Sequence, residues 1–436
     1  MASWIPIPAE SDFSLDNLPF GIFSSRHKNK PDPRPGVAIG DHVIDLGALS
    51  AVKIFQELAG VGATAMAVFS RTTLNEFAGL GKESHHKVRK ALRSMLVAEP
   101  AGDYAFLRDA PDLREQTVVH RDDVVMHLPM EIGDYTDFYA GVHHASNVGS
   151  LFRDPKNPLP ANYATLPIAY HGRASSVVVS GSPVQRPCGQ ILVPPAAGGD
   201  SQVVVGPSNK LDFELELGCF VCKPNDIGVP IKTGDAHNHI FGFVLLNDWS
   251  ARDIQSYEYV PLGPFSGKNF TTSISPWIVL AEALDPFYAP IRVPPKKTFP
   301  YLEGAPNTMF DLNLEVDVEL PGEAPTNITA VSSNNLMWSF PQMVAQHTLS
   351  GCPLRTGDLF GTGTISGASS DKEYGSLLEL SKNGKNAVSL GIGSKRTFLQ
   401  DGDTVTLKGY AIHPLTGGRV GFGECTGTIQ PARSLE

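Results

Sequence analysis

Glycine and proline interrupt this chain so often that few long helices can form in it. The 436 residues include 42 glycines and 35 prolines, about 18% of the chain where about 12% is average. Because 42% of the residues are hydrophobic, these interruptions do not indicate disorder. They predict a packed, mainly β (α+β) protein with short strands and many turns.

The charge balance and the cysteine content exclude several classes of protein. The chain has 35 basic and 45 acidic residues, a formal net charge of −10, and no concentrated basic stripe, so we expect no binding to nucleic acid. The amino-terminal segment lacks the features of a secretory signal, and no stretch approaches the ~18 apolar residues of a membrane span. Five cysteines, an odd and sparse set, indicate reduced thiols. We therefore expect a cytoplasmic protein without membrane contacts.

The sequence pattern changes near residue 125. Residues 37–46 alternate around a Gly-Asp turn, which predicts a β-hairpin, and a helical pattern runs through residues 54–96. Further along, short apolar runs predict strands with few helices. We predict an amino-terminal domain over residues 1–125 and one large β domain over residues 126–436.

Two glutamates in an alternating segment are the first candidates for a metal site. In Leu211-Asp-Phe-Glu-Leu-Glu-Leu217 the acids would share one face of a strand, which places Glu214 and Glu216 ~6.6 Å apart along the backbone. Such like charges repel unless a cation or solvent lies between them. Hard divalent ions such as Ca²⁺ and Mg²⁺ prefer oxygen ligands of this kind.

A second alternating segment, residues 311–319, shows that alternation alone does not decide whether the acidic face of a strand is buried or solvated. On alternation alone, both segments would be predicted to be solvated strand faces. Glu216, however, runs straight into the apolar residues 217–222, so that strand enters the interior, where an unpaired carboxylate is costly. We therefore expect Glu216 to be buried beside other anions and Glu315 to be solvated.

A further polar segment follows an apolar strand that ends at Asp248. We expect Ser250 to cap a short helix, on which Arg252, Gln255 and Tyr259 share one face. The alternative interpretation is ordinary helix capping with polar residues on the surface.

The last polar segment combines an acid, a phenol, imidazoles and a guanidinium within nineteen residues. Its members are Asp137, Tyr139, His143, His144 and Arg153. Clusters of this kind suit anionic substrates, although no single member is informative alone.

Taken together, these motifs resemble those of the fumarylacetoacetase family, and they occur in family order over nearly the whole chain. The motifs are Gly36-Val-Ala-Ile-Gly-Asp41, Gly133-Asp-Tyr-Thr-Asp-Phe-Tyr139, Tyr170-His-Gly-Arg-Ala-Ser-Ser176, Leu211-Asp-Phe-Glu-Leu-Glu216, Asn247-Asp-Trp-Ser-Ala-Arg-Asp-Ile-Gln255 and Gly363-Thr-Ile-Ser-Gly367. Each motif is long, so chance agreement is remote. The segment between Tyr139 and His144 differs in composition from the family pattern.

The resemblance implies a fold and an activity. It implies a small amino-terminal SH3-like barrel followed by a β-roll domain, assembled as a homodimer. The implied reaction is metal-dependent hydrolysis of a carbon–carbon bond in 4-fumarylacetoacetate, the last step of tyrosine and phenylalanine degradation. The first alternative is another enzyme of the same superfamily, an acylpyruvate hydrolase or a diketo-acid decarboxylase, although the extra amino-terminal domain counts against it. A non-catalytic metal-binding or scaffold protein is the second.

The resemblance also implies roles for individual residues. The implied ligands of a divalent cation, Ca²⁺ or Mg²⁺, are Asp137, Glu214, Glu216 and Asp248, and those near a second, structural or auxiliary cation are Lys268 and Thr272. The implied substrate contacts are Tyr139, Arg153, Gln255, Tyr259 and Thr364. The implied catalytic groups are His144 as the base, Glu379 as its partner, and Arg252, Gln255 and Lys268 as stabilisers of negative charge.

Glu379 lies between apolar neighbours in Ser376-Leu-Leu-Glu-Leu-Ser381, which predicts a strand that faces the interior. A carboxylate there would be driven toward its neutral form unless it met a partner. A histidine is such a partner, because the carboxylate fixes its tautomer and supports the imidazolium that forms when water is deprotonated. The alternative is an edge-strand carboxylate in water, with His144 an ordinary core residue.

Overall fold

Strands and short helices alternate along the computed structural model, which describes residues 2–25, 30–193, 195, 200–295, 297–304, 307–391 and 393–435. Strands account for 31% of the chain and helices for 26%. The prediction of a strand-rich α+β protein is therefore confirmed.

The amino-terminal part folds a small set of strands against short helices. The strands are β1 (Phe20–Ser25), β2 (Lys30–Ile39), β3 (His42–Asp45), β4 (Val118–His120) and β5 (Val124–His127). The helices are α1 (Leu46–Ser50), α2 (Lys53–Ala59), α3 (Ala63–Met66), α4 (Asn75–Gly79), α5 (Lys82–Leu96), α6 (Phe106–Asp109) and α7 (Pro111–Thr117). The predicted hairpin is confirmed, since β2 and β3 pair with Ile39 opposite His42.

From residue 135 onward, strands dominate. They are β6 (Tyr135–Phe138), β7 (Ala169–Gly172), β8 (Val177–Val179), β9 (Val184–Gln185), β10 (Cys188–Val193), β11 (Gln202–Pro207), β12 (Leu211–Asp212), β13 (Leu215–Val221), β14 (Ile240–Asp248), β15 (Ser250–Ala251), β16 (Thr272–Ile274), β17 (Trp277–Leu280), β18 (Tyr288–Pro290), β19 (Asn307–Phe310), β20 (Asn313–Glu319), β21 (Thr326–Ser332), β22 (Leu359–Gly361), β23 (Val388–Leu390), β24 (Ser394–Arg396), β25 (Thr404–Ile412), β26 (Arg419–Gly421) and β27 (Cys425–Gln430). The helices between them are α8 (Val142–Phe152), α9 (Arg252–Glu258), α10 (Phe340–Thr348) and α11 (Leu377–Leu380).

One long sheet carries most of the residues proposed to bind a metal. Its strands run in the order β4-β3-β2-β1-β17-β14-β13-β22-β6-β7. Three of its strands carry the acids: Asp248 lies on β14, Glu216 on the adjacent β13, and Asp137 on β6. Strand β22 lies between β13 and β6. Because β1 pairs with β17, strands of the amino-terminal part belong to the same sheet. The domain division at residue 125 stays a prediction.

The two alternating acidic segments differ in burial. Glu216 is fully buried and Glu214 is only 4% exposed, as the continuation of the strand predicted. Glu315 is half-buried rather than solvated, because β20 is flanked by β21 on one side and β25 on the other. The acids of the first segment are therefore more buried than Glu315, as expected, but the difference in burial is smaller than expected.

Two local predictions are wrong. Ser250 does not cap the helix: it lies in β15, its hydroxyl donates to the carbonyl of Asp248 at 3.0 Å, and α9 begins after Ala251. Glu379 does not lie in a strand but in the single helical turn α11. That turn is capped by Ser376 and by a carboxylate far away in the sequence, Asp212, which a local pattern cannot reveal.

Candidate active site

A cavity of about 450 Å³ opens beside the sheet, a size typical of small-molecule sites. Most of the candidate residues line it: Asp137, Tyr139, His144, Arg153, Glu214, Glu216, Arg252, Gln255, Tyr259, Lys268 and Thr364. Of the remaining candidates, Asp248 and Glu379 contact this lining from behind, and Thr272 contacts Asp248. His143, the neighbour of His144, is not among the lining residues.

Three carboxylates lie together at the floor of the cavity, where two of them line it and Asp248 lies behind those two. One oxygen each of Asp137, Glu216 and Asp248 can be chosen so that all lie within 4.8 Å of one another. All three side chains are buried, with 3% exposure for Asp137 and none for the other two. Strands of one sheet deliver them, with β22 between the strands of Glu216 and Asp137, so the sheet itself determines their spacing.

Two glycines make this close approach feasible. Gly361 lies opposite Asp137 in the pairing of β22 with β6, and a Cβ atom there would lie 2.6 Å from Asp137 Oδ1 and 2.9 Å from Glu216 Oε2. Gly363 has a φ of 75°, a conformation that favours glycine. Its N–H donates to Asp137 Oδ1 at 3.1 Å and to Glu216 Oε2 at 2.9 Å.

The triad fits a hard divalent cation. Glu216 Oε1 is buried and has no hydrogen-bond partner among the described residues, which is costly for a carboxylate oxygen. Burial, reinforced by the neighbouring carboxylates, raises the pKa of Asp137 and of Glu216 well above their usual values. A donor set made only of carboxylate oxygens suits Ca²⁺ or Mg²⁺.

Glu214 has a different environment, because it faces cations. Lys268 Nζ contacts Glu214 Oε2 and lies 2.5 Å from Asp248 Oδ2, and Arg252 Nη2 lies 2.9 Å from Glu214 Oε1. Burial raises the pKa of Glu214, but the charges of Arg252, Lys268 and His144 outweigh burial and hold that pKa below its usual range. Glu214 is therefore ionised.

The contacts of Asp248 extend the network away from the cavity floor. Tyr170 donates its hydroxyl to Asp248 Oδ2 at 2.8 Å, and Thr272 donates to Oδ1 at 3.2 Å. A protonated lysine has no lone pair. The Lys268 side chain can therefore balance these carboxylates, but only its backbone carbonyl could coordinate an ion.

A buried histidine–glutamate pair forms one wall. His144 Nδ1 lies 2.6 Å from Glu379 Oε2, while His144 Nε2 lies 3.6 Å from Glu214 Oε1. Burial raises the pKa of Glu379, but His144 and several hydrogen bonds outweigh burial and lower it below the ordinary value. An ionised carboxylate can only accept, so Nδ1 carries a proton, and in the neutral imidazole Nε2 is the atom with the free lone pair.

Three polar side chains hold Glu379 in place. Asn147 donates to Glu379 Oε1 at 2.8 Å, and the hydroxyls of Ser366 and Ser376 donate to Oε2 at 2.9 and 2.8 Å. Every oxygen of this carboxylate is thus occupied by donors, which orients the pair.

Cationic and aromatic groups line the upper part of the cavity. Arg252 donates from Nη1 to Gln255 Oε1 at 3.4 Å, so the two side chains lie together on α9 as predicted. Arg153 is exposed at the mouth and donates to the carbonyl of Pro158 at 3.0 Å. Tyr259, 50% exposed, also lies there.

Sequence reasoning did not assign roles to several residues that complete the site. Tyr170 lies inside one of the motifs, but the sequence assigned no function to it. Its position opposite Asp137 in the pairing of β6 with β7 explains its contact with Asp248. Asn147 follows His144 by three residues, a signal that becomes visible only once α8 is known to be a helix. Ser366 and Ser376 lie far from His144 in the sequence.

A ligand-sized cavity beside a buried carboxylate triad and a buried histidine–glutamate pair is an arrangement suited to activating water with the help of a cation. The fold and the site therefore define the chain as a hydrolase. More narrowly, the chain belongs to the fumarylacetoacetase family. Residues 16–129 match the family model of the fumarylacetoacetase N-terminal domain, and residues 134–430 match that of the fumarylacetoacetate (FAA) hydrolase C-terminal domain.

Relatives over the full length support this assignment. The chain is 50% identical to the fumarylacetoacetase of Emericella nidulans over 100% of both chains. It is 45% identical to that of Rattus norvegicus and 44% identical to that of Homo sapiens, with 99% of both chains covered in each case.

A solved structure supports the fold. A fumarylacetoacetate hydrolase from Exiguobacterium antarcticum matches with a TM-score of 0.52 at 17% identity, covering 95% of this chain and 100% of that chain. In the described part of the chain, no helix is both long and apolar enough to cross a bilayer.

Proposed function

We propose that this chain hydrolyses 4-fumarylacetoacetate to fumarate and acetoacetate. The observation that carries the proposal is the convergence of the carboxylate triad and the His144–Glu379 pair on one cavity. The full-length relatives are named fumarylacetoacetases, which supports this substrate over the acylpyruvates of the alternative interpretation.

The proposed cofactor is Ca²⁺ or Mg²⁺. Asp137, Glu216 and Asp248 would hold the ion, with Glu214 as the fourth carboxylate once Lys268 is displaced toward the substrate. Thr272 and the backbone at Lys268 would serve an auxiliary cation. When bound, such an ion polarises the attacked carbonyl as a Lewis acid.

His144 is proposed to be the general base. Its free Nε2 accepts a proton from the water whose oxygen bonds to the ketone carbon next to the fumaryl double bond. Glu379 keeps Nδ1 protonated and stabilises the imidazolium that forms. The contact of Nδ1 with Glu379 supports the tautomer that this step requires, with the lone pair of the neutral imidazole on Nε2.

The remaining polar groups respond to the charge that develops. As the adjacent carbon–carbon bond breaks, its electron pair leaves on acetoacetate as a delocalised enolate, which is then protonated. Arg252, Lys268 and Gln255 line the cavity and would stabilise the oxyanion and the enolate. Tyr139 and Thr364 would contact the diketone.

Arg153 and Tyr259 are proposed to bind the distal carboxylate of the substrate at the mouth. The exposed guanidinium can pair with it in a bidentate manner, and the phenol can donate a further hydrogen bond. These contacts would select a diacid over a simple acylpyruvate.

We also infer a homodimer. Several apolar side chains are strongly exposed on the β10–β11 hairpin and on the loop after α9, including Leu192 at 52%, Val205 at 64%, Leu262 at 97% and Phe265 at 69%. Exposed apolar surfaces of this kind often mark protein contacts, and a second copy would cover them.

Two further proposals concern location and domain organisation. All five cysteines are free thiols, which supports a cytoplasmic location. The two family models match on either side of residues 130–133, which supports separate domains over residues 1–125 and 126–436.

Turnover by the purified, metal-loaded protein tests the proposed function. We expect fumarate and acetoacetate from 4-fumarylacetoacetate, at a kcat/KM well above that for a simple acylpyruvate. Preference for the acylpyruvate would favour the superfamily alternative, and no turnover of either compound would favour a non-catalytic protein.

A further inference from the structure

Asp212 is a fully buried carboxylate that lies outside the cavity lining and has no role in the mechanism above. It stands two residues before Glu214, in the short strand β12. Its burial alone requires an explanation, because a buried charge is costly unless it is paired and hydrogen-bonded.

The contacts of Asp212 join two separate parts of the site. Asp212 Oδ1 accepts from Leu377 N at 2.7 Å, and Oδ2 accepts from Leu378 N at 3.0 Å. Oδ2 also accepts from Arg252 Nε at 2.9 Å and lies 2.8 Å from Arg252 Nη2. One carboxylate therefore caps the turn that carries Glu379 and anchors the guanidinium that faces the cavity.

The turn α11 depends on this cap. It has only four residues, so its first N–H groups have no partner inside the helix. Ser376 satisfies the N–H of Glu379, and Asp212 satisfies the two N–H groups before it. Without the cap, the turn loses two of the hydrogen bonds that hold its backbone, and with them part of what positions Glu379 beside His144.

Arg252 depends on Asp212 in a similar way. Its guanidinium lies between Asp212 and Glu214, with Nη2 within 2.9 Å of a carboxylate oxygen of each. If Asp212 lost its charge, the attraction of Glu214 would no longer be balanced, and the guanidinium would move toward the cavity floor.

We infer that Asp212 is a positioning residue that fixes Arg252 and the His144–Glu379 pair relative to each other. The inference rests on the proposed function for its catalytic consequence. Its structural part, the dependence of the His144–Glu379 hydrogen bond on Asp212, can be measured without any substrate.

The test is Asp212→Asn, which keeps the side-chain volume but directs an amide N–H group at backbone N–H groups or at the guanidinium. Asp403→Asn is the matched control. Asp403 is also fully buried, pairs with Arg396 at 2.9 and 3.0 Å and accepts from Gln400 N at 2.8 Å, but it does not line the cavity.

Two measurements are needed. The first determines kcat and KM separately, and the second follows the NMR resonance of the His144 Nδ1 proton. We expect Asp212→Asn to lower kcat about 100-fold, the size of a loss from a misplaced catalytic group, with KM within about threefold of the original. In the original protein we expect the Nδ1 resonance far downfield because of the short bond to Glu379, and in Asp212→Asn it should shift or disappear. Asp403→Asn should leave kcat and the resonance unchanged.

Three results would overturn the inference: an unchanged kcat, an unchanged Nδ1 resonance, or equal losses of kcat in the two variants. If the original protein does not turn over fumarylacetoacetate, the proposed function fails, and the NMR comparison alone decides whether Asp212 positions the pair. If Asp212→Asn does not fold, Asp212→Ser repeats both measurements, since its hydroxyl can still accept from one backbone N–H.

Discussion

The Glu379→Gln substitution removes one charge from the His144–Glu379 pair while keeping its shape. The amide oxygen can still accept from His144 Nδ1, so the tautomer with a free Nε2 survives. The amide nitrogen then faces Asn147, whose own amide can turn to present its oxygen. The substitution therefore leaves the geometry in place and weakens the support of the imidazolium.

The structure sets the size of the effect. The bond that joins His144 Nδ1 to Glu379 is short, 2.6 Å, and buried. A hydrogen bond to a charged group contributes about 1.5–3 kcal/mol, and about 1.4 kcal/mol corresponds to a tenfold change in rate. We expect kcat to fall about 10- to 100-fold, well short of the ~10⁴-fold loss seen when a wrong tautomer is enforced in a serine protease triad.

Steady-state kinetics on metal-loaded protein measure this loss. Glu282→Gln is the matched control, because Glu282 Oε2 lies 2.8 Å from His86 Nδ1, outside the lining of this cavity. We expect Glu282→Gln to keep the original kcat. His144→Ala should abolish turnover, and the double variant His144→Ala with Glu379→Gln should be little worse, since groups that act as one unit are non-additive.

Two results would refute the reasoning about the pair. Losses that simply multiply in the double variant would mean that His144 and Glu379 act separately. A Glu379→Gln variant with the original kcat would mean that the carboxylate is structural.

Three further predictions concern the metal and the substrate. Glu216→Gln should weaken divalent-cation binding far more than Glu315→Gln, because only Glu216 is fully buried beside other carboxylates; equal affinities by isothermal titration calorimetry would contradict this. The raised pKa values of Asp137 and Glu216 in the metal-free protein imply stability that is fully present below their unfolded pKa values of about 4 and is lost as the pH rises toward their folded pKa values. Added Ca²⁺ or Mg²⁺ binds the deprotonated forms, so the increase in Tm on adding the ion should grow between pH 5 and pH 8, and a constant increase would argue against the site. Arg153→Ala should raise KM for fumarylacetoacetate about tenfold or more with a smaller effect on kcat, and an unchanged KM would remove Arg153 from the substrate contacts.

Local patterns in the sequence predicted the fold well where alternation or the continuation of a strand was involved. The hairpin around Gly40 and the buried strand at Glu216 follow from local pattern, because turn chemistry and strand burial leave marks in adjacent residues. The helix α8 was not predicted. Its sequence includes Gly149, β-branched valines and two histidines, which are weak helix formers, and Gly149 packs against the carbonyl of Pro158, a contact that needs the folded chain.

The residues of the candidate site also divide into those that a local pattern identifies and those that only the folded chain reveals. Asp137, Glu214, Glu216, Asp248 and Arg252 stand in long motifs and were identified from them. The residues that orient Glu379 come from three separate segments, at Asn147, Ser366 and Ser376, and Asp212 caps its turn from a fourth. Only the sheet and the packed loops bring these segments together, so no local pattern could have assigned them.

Hydrolysis in ¹⁸O-labelled water tests the central claim most directly. If a water deprotonated by His144 attacks the fumaryl ketone, the purified metal-loaded protein should convert fumarylacetoacetate to fumarate that carries one labelled oxygen in its new carboxylate, together with acetoacetate. Chelation of the metal, or His144→Ala, should stop formation of both products. Release of carbon dioxide without fumarate, or fumarate without label, would contradict the account.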